Sequence, residues 1–191
     1  MTTFTIFGSG AMATAIAGVL TEGGATVEHI GSSDTDAVVN GEVVILAVPY
    51  PALEQIAAQY RDKLADKVVV DITNPLDFET FDSLVVPTDS SAASELAAAL
   101  PSSKVLKAFN TNFAATLSSK AVGSNRTTVL IAGDDDAAKQ TLASAVQAGG
   151  VDAVDAGSLK RARELESIGF LQLTLAAGEK IQWTAGFALV R

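Results

Sequence analysis

The sequence has no cysteine and a single histidine, His29, among 191 residues. Without thiols there is no disulfide framework, no thiolate-ligated zinc and no cysteine nucleophile. One imidazole also argues against a zinc-hydrolase centre, which draws on several histidines, and no metal site is expected. Positive charge is scarce: 13 Lys and Arg stand against 22 Asp and Glu, a formal net charge of −9. Binding to a phosphate backbone needs a basic footprint, so nucleic acid is not an expected partner. No apolar run reaches the roughly 20 residues that cross a bilayer, and Met1–Phe7 shows no basic stretch leading into an apolar one. The expectation is a cytoplasmic protein without a membrane partner. Only 18% of residues are charged while 48% are hydrophobic, which excludes a disordered chain.

Small residues dominate what is present, with 33 Ala and 15 Gly. Val- and Ile-rich runs alternate with Ala-rich segments of helical period, and Gly, Pro, Asn, Asp or Ser clusters stand at each junction. That alternation is the α/β signature. Strands are expected at Thr3–Phe7, Thr26–Ile30, Val43–Val48, Val68–Ile72, Val105–Phe109, Thr128–Gly133 and Val151–Asp155. Helices are expected over Ala11–Glu22, Leu53–Arg61, Ser91–Leu100, Asp136–Gln147, and from about Leu159 through Leu165–Ala177. The nearly unbroken apolar strands suit a parallel sheet covered on both faces. The fold class is therefore a Rossmann-type, doubly wound, mostly parallel sheet with a C-terminal helical segment. Only Ser32–Glu42 separates the second strand from Val43, too little for the usual helix and third strand, so Val43–Val48 is expected to pair directly beside the first strand.

Gly8-Ser9-Gly10-Ala11-Met12-Ala13 fits G-x-G-x-x-G/A. The first Gly permits a tight turn, the second lets backbone approach a pyrophosphate, and Ala13 keeps helix close to strand. About 0.3 such matches arise by chance in this composition, so the weight lies in its position between first strand and first helix. The second strand ends at Gly31-Ser32-Ser33, with no acid at its tip and Glu28 inside the strand. An acid there would bind a ribose 2′-OH and repel a 2′-phosphate, so the hydroxyls favour NADP over NAD; the bland alternative is a polar turn leading to an N-cap at Asp34.

Ala47-Val48-Pro49-Tyr50-Pro51, Thr73-Asn74-Pro75 and Lys107-Ala108-Phe109-Asn110-Thr111 follow three further strands, on the edge where open α/β sheets bind ligands. Asn110 and Thr111 are the candidates to orient a nicotinamide carboxamide or an acceptor. His29 reads as a strand residue. Asp134-Asp135-Asp136 reads as a helix cap with macrodipole complement rather than a metal cluster. Lys160, Arg161, Arg163, Glu164 and Glu166 read as a solvated helix face, unless one of the cations attracts an anionic tail of a second substrate.

At these residues the sequence resembles the coenzyme F420-dependent NADP oxidoreductase family. The likeness rests on the Gly8 turn, Gly31-Ser32, Ala47-Val48-Pro49, Ser90-Ser91-Ala92-Ala93, Gly133-Asp134-Asp135-Asp136, Asp155-Ala156-Gly157 and Ala162-Arg163-Glu164-Leu165-Glu166-Ser167. Lys107-Ala108-Phe109-Asn110 is also similar to the reductase domain of the STEAP metalloreductases. The resemblance implies NADP(H) as cofactor, with Ser9 to Met12 on the pyrophosphate and Ser32 and Ser33 on the 2′-phosphate. It places Val48 and Pro49 beside the adenosine, and Asn74, Ala108 and Asn110 toward the nicotinamide. It also puts the acceptor near Trp183-Thr184-Ala185-Gly186-Phe187. The chain departs from the deazaflavin enzymes where they carry Arg at Ser33 and His at Asn110, and where they retain the missing helix and strand.

The implied chemistry is hydride transfer between nicotinamide and a deazaflavin, flavin or similar planar acceptor, which needs stacked rings rather than a strong general base. The competing reading is an NADP(H)-binding redox sensor without turnover. Residues 1–156 are expected to form the nucleotide domain, and 157–191 to complete the acceptor site and a homodimer interface. The first segment carries 8 basic and 19 acidic groups, the second 5 and 3, so an anionic cofactor is least repelled at the C-terminal end.

Overall fold

A computed structural model of the chain describes residues 2–190. Met1 and Arg191, the outer limits of the two expected segments, lie outside the described residues. The chain begins with β1 (Thr3–Phe7), α1 (Ala11–Glu22), β2 (Thr26–Ile30), β3 (Val43–Leu46), α2 (Ala52–Leu64), β4 (Val68–Asp71), α3 (Ala92–Ala99) and β5 (Lys104–Lys107). It continues through α4 (Ala114–Ser119), a small hairpin of β6 (Ala121–Val122) and β7 (Asn125–Arg126), and then β8 (Thr128–Gly133), α5 (Asp136–Ala148) and β9 (Asp152–Gly157). A 3₁₀ turn (Leu159–Arg161) leads into α6 (Ala162–Ala177).

Seven strands form one sheet in the order β2-β1-β3-β4-β5-β8-β9. The first five are mutually parallel, β8 joins β5 antiparallel, and β9 is parallel to β8. Period-2 alternation divides the strands between two cores. Phe4, Ile6, Val43, Ile45, Val70 and Leu106 face a core that includes Ile16 and Leu20 of α1, Leu117 of α4 and Leu142 of α5. Phe7, Val44, Leu46, Val69 and Val105 face a second core with Leu53, Tyr60 and Leu64 of α2, Leu96 of α3 and Ala162 of α6. Burial on both faces explains the nearly continuous apolar runs.

The missing outer strand is as expected: β3 pairs directly with β1, and residues 31–42 contain no helix or strand. These residues form a strap that buries Val39 in the second core. Tyr60 Oη and Gln59 Nε2 donate to the carbonyls of Asp34 and Thr35, and Lys63 Nζ reaches the Asp36 carboxylate and the Ala37 carbonyl. At the far end Glu28 accepts from the Thr5 hydroxyl and from both the backbone N–H and the side-chain amide of Asn40. The alternative reading of Asp34 as an N-cap does not apply, because no helix follows it. Strands β3, β4 and β5 stop one or two residues short of their expected ends, because the terminal residues turn out of the sheet at its carboxyl edge. Strand β9 runs to Gly157, and the short α4 and the β6–β7 hairpin had no periodic signal. Of the acids at α5, Asp135 caps the helix, accepting from the Ala138 N–H at 2.8 Å and pairing with Lys104, while Asp134 accepts from the Leu159 N–H at 2.9 Å, at the start of the 3₁₀ turn. Among the described residues no cluster of His, Cys, Asp and Glu is arranged to hold a metal, and no helix is long and apolar enough to cross a membrane.

Burial works to raise the Glu28 carboxyl, but the bonds from Asn40, Thr5 and the Gly41 backbone outweigh it and hold the group below its ordinary value of 4.5. A depressed folded-state value means stability that is present above pH of about 4.5 and lost as the pH falls through the folded-state value. Glu28→Gln should therefore flatten the fall of melting temperature on acidification, at a cost of about 1 kcal/mol near neutral pH. An unchanged acid slope, followed by circular dichroism, would show that Glu28 does not anchor the strap.

Candidate active site

Register brings the site together. Phe7, Leu46, Asp71 and Lys107 lie side by side across β1, β3, β4 and β5. The residues that follow them therefore leave the sheet along one edge, at the point where chain order reverses, which is where open α/β sheets bind ligands.

The Gly8–Ala13 turn begins as the Gly8 N–H donates to the Ile30 carbonyl at 2.9 Å, while His29 Nδ1 lies 2.9 Å from the Gly8 carbonyl. Gly8 has φ of +109°, and a Cβ there would stand 2.3 Å from the Ala47 carbonyl oxygen, so the fold requires glycine. Gly10 is different. Its backbone is extended, with φ −74° and ψ −177°, and a Cβ would meet nothing within 4 Å. Among the described residues nothing crowds that position, so its backbone is open to close approach from outside. Helix α1 carries no side-chain cap and no acid in its first turn, so its N-terminal N–H groups and dipole are open to an anion.

Beside this turn lies a cleft of about 420 Å³. Met12, Asn74, Phe109, Asn110, Asn112 and Trp183 are among the residues that line it. Trp183 packs on Phe113 with ring centroids 5.0 Å apart and is half exposed. Phe109 is buried with φ of +63°, a left-handed conformation that is strained for a bulky residue. The strained turn allows a reciprocal amide pair. Asn74 Nδ2 donates to the Asn110 carbonyl, and Asn110 Nδ2 donates to Asn74 Oδ1, each at 2.9 Å. Asn110 Nδ2 also donates to the Leu165 carbonyl at 2.8 Å. Asn112 Nδ2 donates to the Thr128 carbonyl. Asn110 Oδ1 and Asn112 Oδ1 are both buried and have no hydrogen-bond partner among the described residues.

Of the sequence candidates, Gly8, Ser9, Gly10, Ala11 and Met12 form the turn, and Asn74 and Asn110 meet in the cleft. Ala108 is buried beside them, its N–H bonded to the Asp71 carbonyl. Ala47 and Val48 are half-buried and Pro49 exposed at the end of β3, whereas Pro75 is buried with its carbonyl accepting from Val85. Ser32 and Ser33 are exposed at the tip of β2. Thr111 points elsewhere: it lines a separate apolar groove with Ile168, Leu171 and Phe187. Trp183 and Phe187 are thus divided between cleft and groove. Gln172 holds the tail, donating to the Thr111 carbonyl and accepting from the Phe187 N–H.

Glu166 is a correction to the sequence reading. It is buried, because the covered stripe of α6 runs through Ala162, Leu165, Glu166, Gly169, Gln172 and Ala176, and the two polar members ride on that helical period. Fully buried Lys107 places its ammonium 2.7 Å from Glu166 Oε1, 2.8 Å from Asp71 Oδ2 and 2.6 Å from the Thr73 carbonyl. The other Glu166 oxygen accepts from the Ala92 N–H at the start of α3. Burial raises the Glu166 carboxyl above its ordinary value, against the opposing pull of Lys107. The signals available in sequence were Asp71 and Lys107, each closing an apolar strand, and a Glu on the apolar stripe of a helix. Close packing completes the seat: a Cβ on Gly169 would lie 2.2 Å from Asn74 Oδ1, so α6 touches the amide pair only because glycine stands there.

The comparisons with known proteins agree with this architecture. A family model described as NADP oxidoreductase, coenzyme F420-dependent, matches residues 25–75, the span from the start of β2 to Pro75. The chain is 32% identical over 153 residues to an F420-dependent NADP reductase of Methanocaldococcus jannaschii, covering 78% of this chain and 69% of the relative. It is 38% identical over 136 residues to the metalloreductase STEAP3 of Rattus norvegicus, covering 70% of this chain but 26% of that larger protein. A crystal structure from Arthrobacter sp. FB24, solved as a candidate F420-dependent NADP reductase, shares the fold with a TM-score of 0.86 at 22% identity over 100% of both chains.

Replacing Lys107 with Met should leave two buried carboxyl groups without their cation and cost about 3–5 kcal/mol in urea unfolding. Glu166→Gln, which keeps an acceptor for the Ala92 N–H, should cost less than half as much. Equal losses for the two would refute the central place of the ammonium.

Proposed function

Because the chain belongs to the coenzyme F420-dependent NADP oxidoreductase family, and is an NADP-dependent oxidoreductase, we propose that it transfers hydride between NADP(H) and a planar acceptor of the deazaflavin or flavin type. The observation that carries the cofactor site is Gly10, a glycine that no neighbouring atom requires, at the open N-terminus of α1.

When bound, the cofactor supplies hydride from its nicotinamide ring. The chain's part is to bind, orient and enclose. Backbone N–H groups of residues 9–12 hold the pyrophosphate. Ser32 and Ser33 receive the 2′-phosphate, and Ala47, Val48 and Pro49 flank the adenosine. Asn74, Pro75 and Ala108 shape the inner wall toward the nicotinamide. The unpartnered Oδ1 atoms of Asn110 and Asn112 suit a carboxamide, whose N–H groups are the donors they lack. Asn110 also acts through its bonds to Asn74 and Leu165, which fix the wall, while Thr111 tethers the tail through Gln172. Met12, Phe113 and Trp183 give the cleft an apolar side against which a flat ring can pack and from which water is displaced. The chain thereby supplies proximity, not proton transfer.

The tail and α6 suit a second copy of the chain. Ile168, Leu171, Phe187 and Leu189 are exposed apolar residues around one groove of about 360 Å³, and Val190 extends the strip. A homodimer through this strip predicts that Leu171→Asp sediments as a monomer where the parent sediments as a dimer; a monomeric parent would refute it.

Trp183 is the sole tryptophan, so its fluorescence reports directly on the cleft. Titration with NADPH should quench it, and NADPH oxidation should follow on adding FMN, FAD or a deazaflavin. Gly10→Asn keeps a favoured N-cap residue and should leave the melting temperature unchanged while weakening NADPH at least about 100-fold. Retained affinity in that variant would overturn the cofactor placement, and tight binding without turnover on any of these acceptors would overturn the reductase reading.

A further inference from the structure

Strand β2 ends without an acid in sequence order, yet the structure places a carboxylate at its tip. Asp34 folds back over three residues: its N–H donates to the Gly31 carbonyl at 3.1 Å, and its Oδ2 accepts from the Gly31 N–H at 2.9 Å. The carboxylate thus occupies the first backbone donor beyond β2, which a phosphate at this tip would otherwise use. The Asp34 carbonyl is held independently by the Tyr60 hydroxyl, so the side chain can rotate while the strap stays in place.

The segments that form the tip carry charge of one sign. No Lys or Arg precedes Arg61 in the sequence, so the turn, β2 and the strap contribute no cation. Lys63, which reaches the strap from α2, is paired with the Asp36 carboxylate and also bonds the Asp36 and Ala37 carbonyls. A 2′-phosphate would enter beside Asp34 with like charge and would have to displace it from Gly31, leaving the hydroxyls of Ser32 and Ser33 as side-chain donors. A ribose diol has the opposite character: its hydroxyls donate, and a carboxylate already turned toward the tip accepts.

We propose that Asp34 is the cofactor-discriminating residue of this site, accepting the adenosine ribose hydroxyls and admitting NAD(H) alongside NADP(H). The inference rests on the dinucleotide site proposed above and adds to it a second cofactor and the residue that admits it. Asp34→Ala removes both the charge and the competing acceptor, whereas Asp34→Asn removes the charge but retains an oxygen for the Gly31 N–H. Both changes fall on an exposed side chain.

The test measures dissociation constants for NADPH and NADH by titration calorimetry on the parent and both variants. The parent should bind the two within about threefold of each other. In Asp34→Ala, NADPH should tighten and NADH weaken, moving their ratio at least about tenfold, with Asp34→Asn falling between. A parent that favours NADPH by more than about 100-fold, or a ratio unmoved in Asp34→Ala, overturns the role of Asp34 and leaves the cofactor site standing. A parent that binds neither nucleotide overturns both.

Discussion

The Lys107 ammonium is the point on which the site's architecture turns. It is wholly buried and meets Asp71 of β4, the Thr73 carbonyl and Glu166 of α6, while Glu166 in turn accepts from the N-terminus of α3. Four elements converge on one charge. Such a cluster is a poor source of net stability, because desolvation consumes most of the Coulombic gain. Its force lies in what it forbids: any arrangement that separates α6 from β4 and β5 leaves a buried charge uncompensated. An apolar contact would tolerate a slide of the helix, whereas this cluster does not.

Consequences follow along α6. With Glu166 fixed, Gly169 lies one turn further on against Asn74 and the Asn110 carbonyl, at a separation where only hydrogen fits. Leu165 presents its carbonyl to Asn110, and Gln172 ties Thr111 to the tail beside Phe187. The strained backbone at Phe109 is held between these contacts. Local strain of this kind persists where the surroundings over-determine it. A helix pinned by a buried ion cluster on one turn and by glycine contact on the next supplies that over-determination, and the reward is an amide pair set in the wall of the cleft.

The fold was readable in the sequence because its signals are periodic and local. Alternating apolar runs, glycine stops and the Gly8 turn each encode a short-range preference, and the twelve residues between β2 and β3 leave room for no further strand. The site was readable only as far as it is backbone. Gly8 through Met12 and the turns after β3, β4 and β5 follow from strand ends in a parallel sheet. What escaped were pairings across long sequence separations: Asp71 with Lys107 and Glu166, Asn74 with Asn110, Gln172 with Thr111. Glu166 misled because a Glu beside Arg163 and Glu164 has the composition of a solvated face, although its spacing from Leu165 and Gly169 is that of the buried stripe. Asp34 misled in another way, since its position in the chain is beyond the tip while its carboxylate is at the tip.

That last displacement has the same origin as the shortened sheet. Where a helix and a strand would carry the chain away from the end of β2, the strap must instead cross to the start of β3 within a dozen residues. It does so in tight turns, and the first of them closes Asp34 onto Gly31. Tyr60, Gln59 and Lys63 of α2 then hold the crossing against the second core, with Val39 as its buried residue. A chain that left β2 as a helix would direct its early side chains outward from the tip; a chain that turns back delivers one of them to it. The absence of a strand, which reads first as mere brevity, thereby brings a carboxylate back to the tip of β2.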